Sequence, residues 1–135
     1  MPKKILVVDD DFNILKLIAI RLKANNYDVV TASDGLYAIK KVYEDKPDLI
    51  ILDIEMPVGG GMGVFKNLKM NTETMLIPVI FITAYPSEEM QSKVLEMGAE
   101  DFITKPFNAD ELMAKVRKAL GENIEKKDAN GGQSG

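Results

Sequence analysis

The sequence predicts an α/β domain built on one parallel sheet of five strands, and two observations carry that prediction. Strand-like and helix-like segments alternate five times along the chain, the sign of a repeating βα unit. Several strand-like segments are apolar runs that stop at a polar residue. Ile5-Leu6-Val7-Val8 meets Asp9-Asp10-Asp11, and Leu49-Ile50-Ile51-Leu52 meets Asp53. Val79-Ile80-Phe81-Ile82 meets Thr83, and Phe102-Ile103-Thr104 meets Lys105. Short unbroken apolar runs are what strands buried on both faces look like. If these strands lie parallel, their C-terminal ends share one edge, where open α/β sheets place their chemistry.

The elements follow in order. The first strand is about Lys4–Val8. The first helix runs from about Phe12 to Asn25, with Ile14, Leu15, Ile18 and Leu22 on one face and Asn25-Asn26 as a left-handed stop. A short second strand, Asp28–Ala32, precedes a helix capped by Ser33, which runs to about Asp45 before Pro47. The third strand ends at Asp53. Glu55-Met56-Pro57-Val58-Gly59-Gly60-Gly61 reads as a mobile connection to a third helix, about Met62–Asn71. The fourth strand, Val79–Ile82, leads through Thr83-Ala84-Tyr85-Pro86 to a helix capped by Ser87 and closed at Gly98. The fifth strand, Asp101–Thr104, precedes Lys105-Pro106. An Asn108…Glu111 capping box then opens a last helix with Leu112, Met113, Val116 and Leu120 inward. Residues 1–121 are expected to form one domain and 122–135 a flexible tail or linker stump.

Composition narrows the chemistry. The 135 residues are 46% hydrophobic and 28% charged, an ordinary globular balance. A net charge of −4 with no basic cluster argues against direct nucleic-acid binding. The chain has no cysteine and no histidine, which excludes a thiol nucleophile, a thiolate or imidazole metal site and a histidine phosphoacceptor. Carboxylates, hydroxyls and lysine remain. Neither a signal peptide nor an apolar span is visible, so the expected setting is cytoplasmic, with no membrane contact.

Carboxylates crowded at strand ends raise one another's pKa unless a positive charge sits among them. Oxygen-only ligands suit magnesium, which uses one or two carboxylates, several waters and a phosphate oxygen. Lys105 can neutralise part of the charge, and Thr83 can donate to a bound oxyanion. An ionised aspartate attacking a phosphate forms a mixed anhydride, and the ion and the lysine would stabilise charge on the transferred oxygens. Taken singly, these residues are uninformative: an Asp after a strand is usually a helix cap, and Asp11 reads as one. Their occurrence together, on four separate strands, is the signal.

These stretches resemble the receiver domains of response regulators, the CheY-like phosphoacceptors of two-component signalling. The matching residues are 5–11, Leu49 to Pro57 (LIILDIEMP), Phe81 to Ala84 (FITA) and Gly98 to Phe107 (GAEDFITKPF), in family order, within about residues 3–121. The resemblance implies a doubly wound, flavodoxin-like (βα)5 sheet with strand order 2-1-3-4-5. It implies Asp53 as phosphoacceptor, and Asp9, Asp10, Asp53 and the Glu55 backbone carbonyl as ligands of Mg2+, with Mn2+ a substitute. Thr83 would be the switch hydroxyl, Lys105 the phosphate-pairing lysine, Phe102 the switch aromatic, and the Lys105-Pro106 bond cis. The chain departs from the pattern at the Val58–Gly61 turn and at Phe102, where tyrosine is frequent. Glu55 and Tyr85 lie two residues past Asp53 and Thr83. They are expected to obstruct water or a phosphatase, the alternative being that both point to solvent.

Two surfaces complete the reading. At 100° per residue, Asn13, Ile14, Leu17 and Ile20 form a strip on the first helix facing away from the sheet. It reads either as chance exposed aliphatics or, by the resemblance, as the dock for a histidine kinase or histidine phosphotransfer protein. Glu89, Lys93, Asp101, Glu111 and Lys115 form a mixed-charge face, either simply solvated or an output surface for a downstream protein target or effector domain. The state would be a monomer or a phosphorylation-promoted dimer. The chain is expected not to be an enzyme beyond self-phosphorylation and autodephosphorylation. A magnesium phosphohydrolase with an aspartyl nucleophile and a pseudo-receiver remain rivals.

Overall fold

Alternation of side chains along each strand explains the layering. In the computed structural model, which describes residues 2–57 and 60–122, five βα units follow one another: β1 (Lys4–Val8), α1 (Phe12–Ala24), β2 (Asp28–Ala32), α2 (Gly35–Asp45), β3 (Leu49–Asp53), α3 (Gly60–Lys69), β4 (Val79–Thr83), α4 (Glu88–Glu96), β5 (Asp101–Thr104) and α5 (Ala109–Ala119). All neighbouring strands pair in parallel, in the order β2-β1-β3-β4-β5, as expected. Leu6, Val8, Ile50, Leu52, Val79 and Phe81 point to one face, where they meet Val42, Phe65, Leu68 and Val94 of α2, α3 and α4. Ile5, Val7, Leu49, Ile51, Ile80 and Ile82 point to the other, against Leu15, Ile18 and Leu22 of α1 and Leu112, Met113 and Val116 of α5. Each of these side chains contributes roughly 1.5–3 kcal/mol relative to exposure, which is why the central strands tolerate no polar residue before their ends. No helix among the described residues is long and apolar enough to cross a membrane.

Three local expectations need correction. The cap of α2 is Asp34, not Ser33: Asp34 is extended (φ −149°, ψ 166°) and its carboxylate accepts the Tyr37 N–H at 2.8 Å. Helix α3 spans Gly60–Lys69 and not Met62–Asn71, because the Asn71 side chain donates to the Asn67 carbonyl at 2.9 Å and helps to end the helix. The capping box of α5 is half formed. Asn108 accepts the Glu111 N–H at 2.7 Å, while the Glu111 carboxylate turns to Lys115 at 3.6 Å. Ser87 caps α4 as expected, accepting from Met90. Asn26 (φ 70°), Lys46 (φ 47°) and Gly98 (φ 106°) are left-handed stops between a helix and the next strand, and the Lys105-Pro106 peptide is cis. At the far end of α5, the Tyr27 hydroxyl donates to Glu122 at 2.6 Å and Arg117 donates to Asn25 at 2.8 Å, tying that helix to the α1–β2 turn.

The connection after β3 also differs from expectation. Val58 and Gly59 lie outside the described residues, but Gly60 and Gly61 form the first turn of α3. The Gly61 N–H donates to the Ile54 carbonyl at 3.0 Å. A Cβ on Gly61 would stand 2.2 Å from the Asp53 carbonyl oxygen. The glycine is there because the helix backbone presses directly on the end of β3, so this part of the turn is packed. Gly61→Ala should therefore destabilise the fold by about 2–3 kcal/mol, measured by urea unfolding. A loose turn would accept the methyl group with no loss.

Candidate functional site

Strand parity places the charged residues. Asp9, Asp53 and Lys105 continue the alternation of Val7, Ile51 and Ile103, all on the α1/α5 side, so their side chains converge at the C-terminal edge. Asp9 and Asp53 are almost wholly buried, at 0% and 1% exposure. Asp9, Asp10 and Asp53 each offer a carboxylate oxygen within 4.8 Å of the others. The Lys105 ammonium lies 3.0 Å from Asp9 Oδ2 and 3.6 Å from Asp53 Oδ1. Its main chain is fixed by the Lys105 N–H, which donates to the Thr83 carbonyl at 2.8 Å. Asp11 is the N-cap of α1 and accepts the Asn13 N–H at 2.8 Å, which leaves the metal-competent oxygens to its two neighbours.

Two observations fit this cluster to a hard divalent cation. The donors are all oxygen, two buried and one exposed at Asp10, so an ion can enter from the solvent side and keep waters. Asp9 Oδ2 is buried, with the Lys105 ammonium 3.0 Å away as its partner among the described residues. One ammonium contact engages one lone pair of a carboxylate oxygen and leaves the other for a cation.

Asp53 Oδ1 accepts the Glu55 N–H at 3.2 Å and faces Lys105, so the carboxylate is oriented from one side. Desolvation, and after it the Asp9 charge, pushes the Asp53 carboxyl up to about 6, against the opposing pull of Lys105 and the Glu55 N–H. Burial lowers the Lys105 ammonium, but its contacts with Asp9 and Asp53 outweigh burial and leave it above the ordinary lysine value.

Thr83 is fully buried at the end of β4. Its hydroxyl donates to Glu55 Oε2 at 2.5 Å and accepts the Tyr85 N–H at 3.0 Å, while Glu55 Oε1 accepts the Ala84 N–H at 3.0 Å. The half-buried Glu55 carboxylate is thus held by the end of β4 and the turn that follows, and Tyr85, 76% exposed, points to solvent. The Glu55–Thr83 contact is the feature that sequence reasoning missed. The register Asp53↔Ile82, carried two residues onward, sets Glu55 beside Ala84, a relation that strand order without register does not supply.

Phe102 is half-buried against the α4 side of the sheet. Lys115 sits over it, with its ammonium 5.2 Å from the ring centre and donating to the Phe102 carbonyl at 2.6 Å. Lys115 also pairs with Asp101 and Glu111, both at 3.6 Å. The expected mixed-charge face thus divides into this network and a separate pair, Glu89 and Lys93, which lines a shallow cavity of about 260 Å³ with Met62, Met90 and Val94. On α1, Leu17 and Ile20 are 51% and 58% exposed and Asn13 is exposed, whereas Ile14 is half-buried against the core. Leu17 borders a cavity of about 180 Å³ with Arg21, Phe107, Ala109 and Leu112.

The raised Asp53 value has a consequence for stability. Between the ordinary value of 3.8 and about 6, the folded protein holds a proton that the unfolded chain releases. Stability is therefore greatest at the acid end of that window and falls as pH rises through it. Asp53→Asn removes the ionised carboxylate. In metal-free buffer the variant should exceed the parent near neutral pH by on the order of 1–2 kcal/mol, and the gap should close below about pH 4. Urea unfolding across that range checks this; a gap independent of pH would contradict the buried-charge account.

Comparison with known proteins agrees with this geometry. The model of the response regulator receiver domain family matches residues 5–117. Over 120 residues the chain is 43% identical to the alkaline phosphatase synthesis transcriptional regulatory protein PhoP of Bacillus subtilis (strain 168), covering 89% of this chain and 49% of that protein. The chain thus spans about half the length of that relative. The Vibrio cholerae chemotaxis protein CheY4 aligns with a TM-score of 0.84 at 31% identity, over 89% of this chain and 100% of that one. The BeF3-activated N-terminal receiver domain of Klebsiella pneumoniae RstA aligns with a TM-score of 0.80 at 34% identity, over 87% and 98%. On sequence, fold and the parallel-sheet edge alike, the chain belongs to the response regulator receiver domain family.

Proposed function

We propose that Asp53 takes a phosphoryl group from a histidine kinase or a histidine phosphotransfer protein, and that the chain signals in the cytoplasm by the change of shape that follows. The observation that carries this reading is the convergence of Asp9, Asp10 and Asp53 within 4.8 Å, with Lys105 at their side. A carboxylate oxygen of Asp53 forms the bond to phosphorus as the donor's P–N bond breaks, and the electron pair stays on the donor imidazole nitrogen. The product is a mixed anhydride. Lys105, already 3.6 Å from Asp53, pairs with an oxygen of the transferred group. Asp9, Asp10, Asp53 and the Glu55 backbone carbonyl are the residues we assign to Mg2+, with Mn2+ as a substitute; when bound, the ion neutralises charge on the phosphoryl oxygens.

Phosphorylation then draws Thr83 inward, and Phe102 follows into the space it leaves. The face carrying Glu89, Lys93, Asp101, Glu111 and Lys115 changes for a downstream target, an effector domain or a second copy. The donor docks on Asn13, Ile14, Leu17 and Ile20. We read the chain as an acceptor and not a phosphohydrolase, because no insertion of cap length interrupts the described elements.

Incubation with acetyl phosphate and magnesium should add a single phosphoryl group by intact mass. The adduct should vanish in Asp53→Asn and fall at least about tenfold in Asp10→Asn. An adduct that survives Asp53→Asn, or release of many phosphate equivalents per chain, would reject the assignment. Leu17→Glu should slow transfer from a phosphohistidine donor about tenfold or more while leaving acetyl phosphate labelling as it was. Equal loss with both donors would remove the docking role.

A further inference from the structure

We propose that the Glu55 carboxylate is an internal anion that occupies the hydrogen-bond donors of the β4–α4 turn until a phosphoryl group on Asp53 takes them over. The proposal rests on Asp53 as phosphoacceptor and concerns what that group must displace. The two oxygens of Glu55 are bound as a fork, Oε2 by the Thr83 hydroxyl at 2.5 Å and Oε1 by the Ala84 N–H at 3.0 Å. The Tyr85 N–H donates to Thr83 Oγ1, so the threonine oxygen is already an acceptor and its one proton is committed to Glu55. A hydroxyl cannot give that proton to two anions at once. A phosphoryl group drawing Thr83 inward must break a charge-assisted bond, and its own negative charge would help expel the neighbouring carboxylate.

The surroundings permit the exchange. Glu55 is half-buried and has solvent beside it, and the turn it holds, Ala84-Tyr85-Pro86-Ser87, is exposed throughout. Few packing contacts resist movement of that turn once the fork opens. Glu55 is thus a positioning residue: it acts through Thr83 and Ala84, holds the resting arrangement in place, and sets how strongly the acceptor must be loaded before the switch responds.

The test uses the whole chain and beryllofluoride with magnesium as the phosphoryl probe, followed by amide NMR in the parent, Glu55→Ala, Thr83→Ala and the double variant. Glu55→Ala should bind the probe on the order of tenfold more tightly, and the gain should shrink in the Thr83→Ala background. Glu55→Gln, close to isosteric, guards against a folding artefact and should shift affinity in the same direction. In the metal-free, unligated protein, the Ala84 amide should exchange faster once Glu55 is removed. Unchanged affinity in either Glu55 variant overturns the proposal. So does a gain of equal size with and without the Thr83 hydroxyl, which would reflect only lost negative charge. If Asp53 is not the acceptor, the parent itself fails to respond to the probe and to acetyl phosphate, a different result.

Discussion

One ammonium among three carboxylates is the constraint on which the rest of the structure depends. Adjacent parallel strands lie about 4.8 Å apart, so aspartates at the ends of β1 and β3 cannot avoid one another once the apolar runs behind them are buried. Lys105 offsets part of this crowding by standing between Asp9 and Asp53. It cannot offset all of it: burial first, and the Asp9 charge after it, leave Asp53 holding its proton more tightly than an exposed aspartate does. The edge is left short of positive charge, with solvent access at Asp10. A site of that kind gains most from a compact cation and from a ligand that arrives with one.

The same edge links the end of β3 to β5 and α5 through hydrogen bonds between neighbouring strand ends. Glu55 follows β3 and grips Thr83 and Ala84 at the end of β4. The Lys105 N–H, one residue past β5, binds the Thr83 carbonyl. Phe102, on β5, is covered by Lys115 of α5, whose ammonium also engages Asp101 and Glu111. Asp53, Thr83 and Phe102 therefore lie on three adjacent strands, with Thr83 opposite Thr104 and Phe102 two residues further back on β5.

Much of this was legible from the sequence because the signals were local and strong. Unbroken apolar runs located β1, β3 and β4, and the residues that ended them marked the edge. The failures have physical causes. Ser33 and Asp34 are both good caps, and only the extended backbone at Asp34 decides between them. Glycines after Pro57 suggest freedom when read as composition, yet Gly61 is present because there is no room for a side chain against Asp53. For the Glu55 side chain the sequence shows only its distance from Asp53 along the chain, which suggests a position beside the phosphoryl group. Its actual partners, Thr83 and Ala84, lie across the sheet, a relation that appears only when the strands are set in register.

The left-handed residues have a consequence of their own. Asn26, Lys46 and Gly98 all sit where a helix returns to the start of a strand, at the opposite pole of the sheet from the carboxylates. Evolution or an engineer can therefore adjust thermal resilience at one pole, by swapping residues that suit such backbone angles, without touching the reactive pole. In this chain, robustness and reactivity have separate addresses.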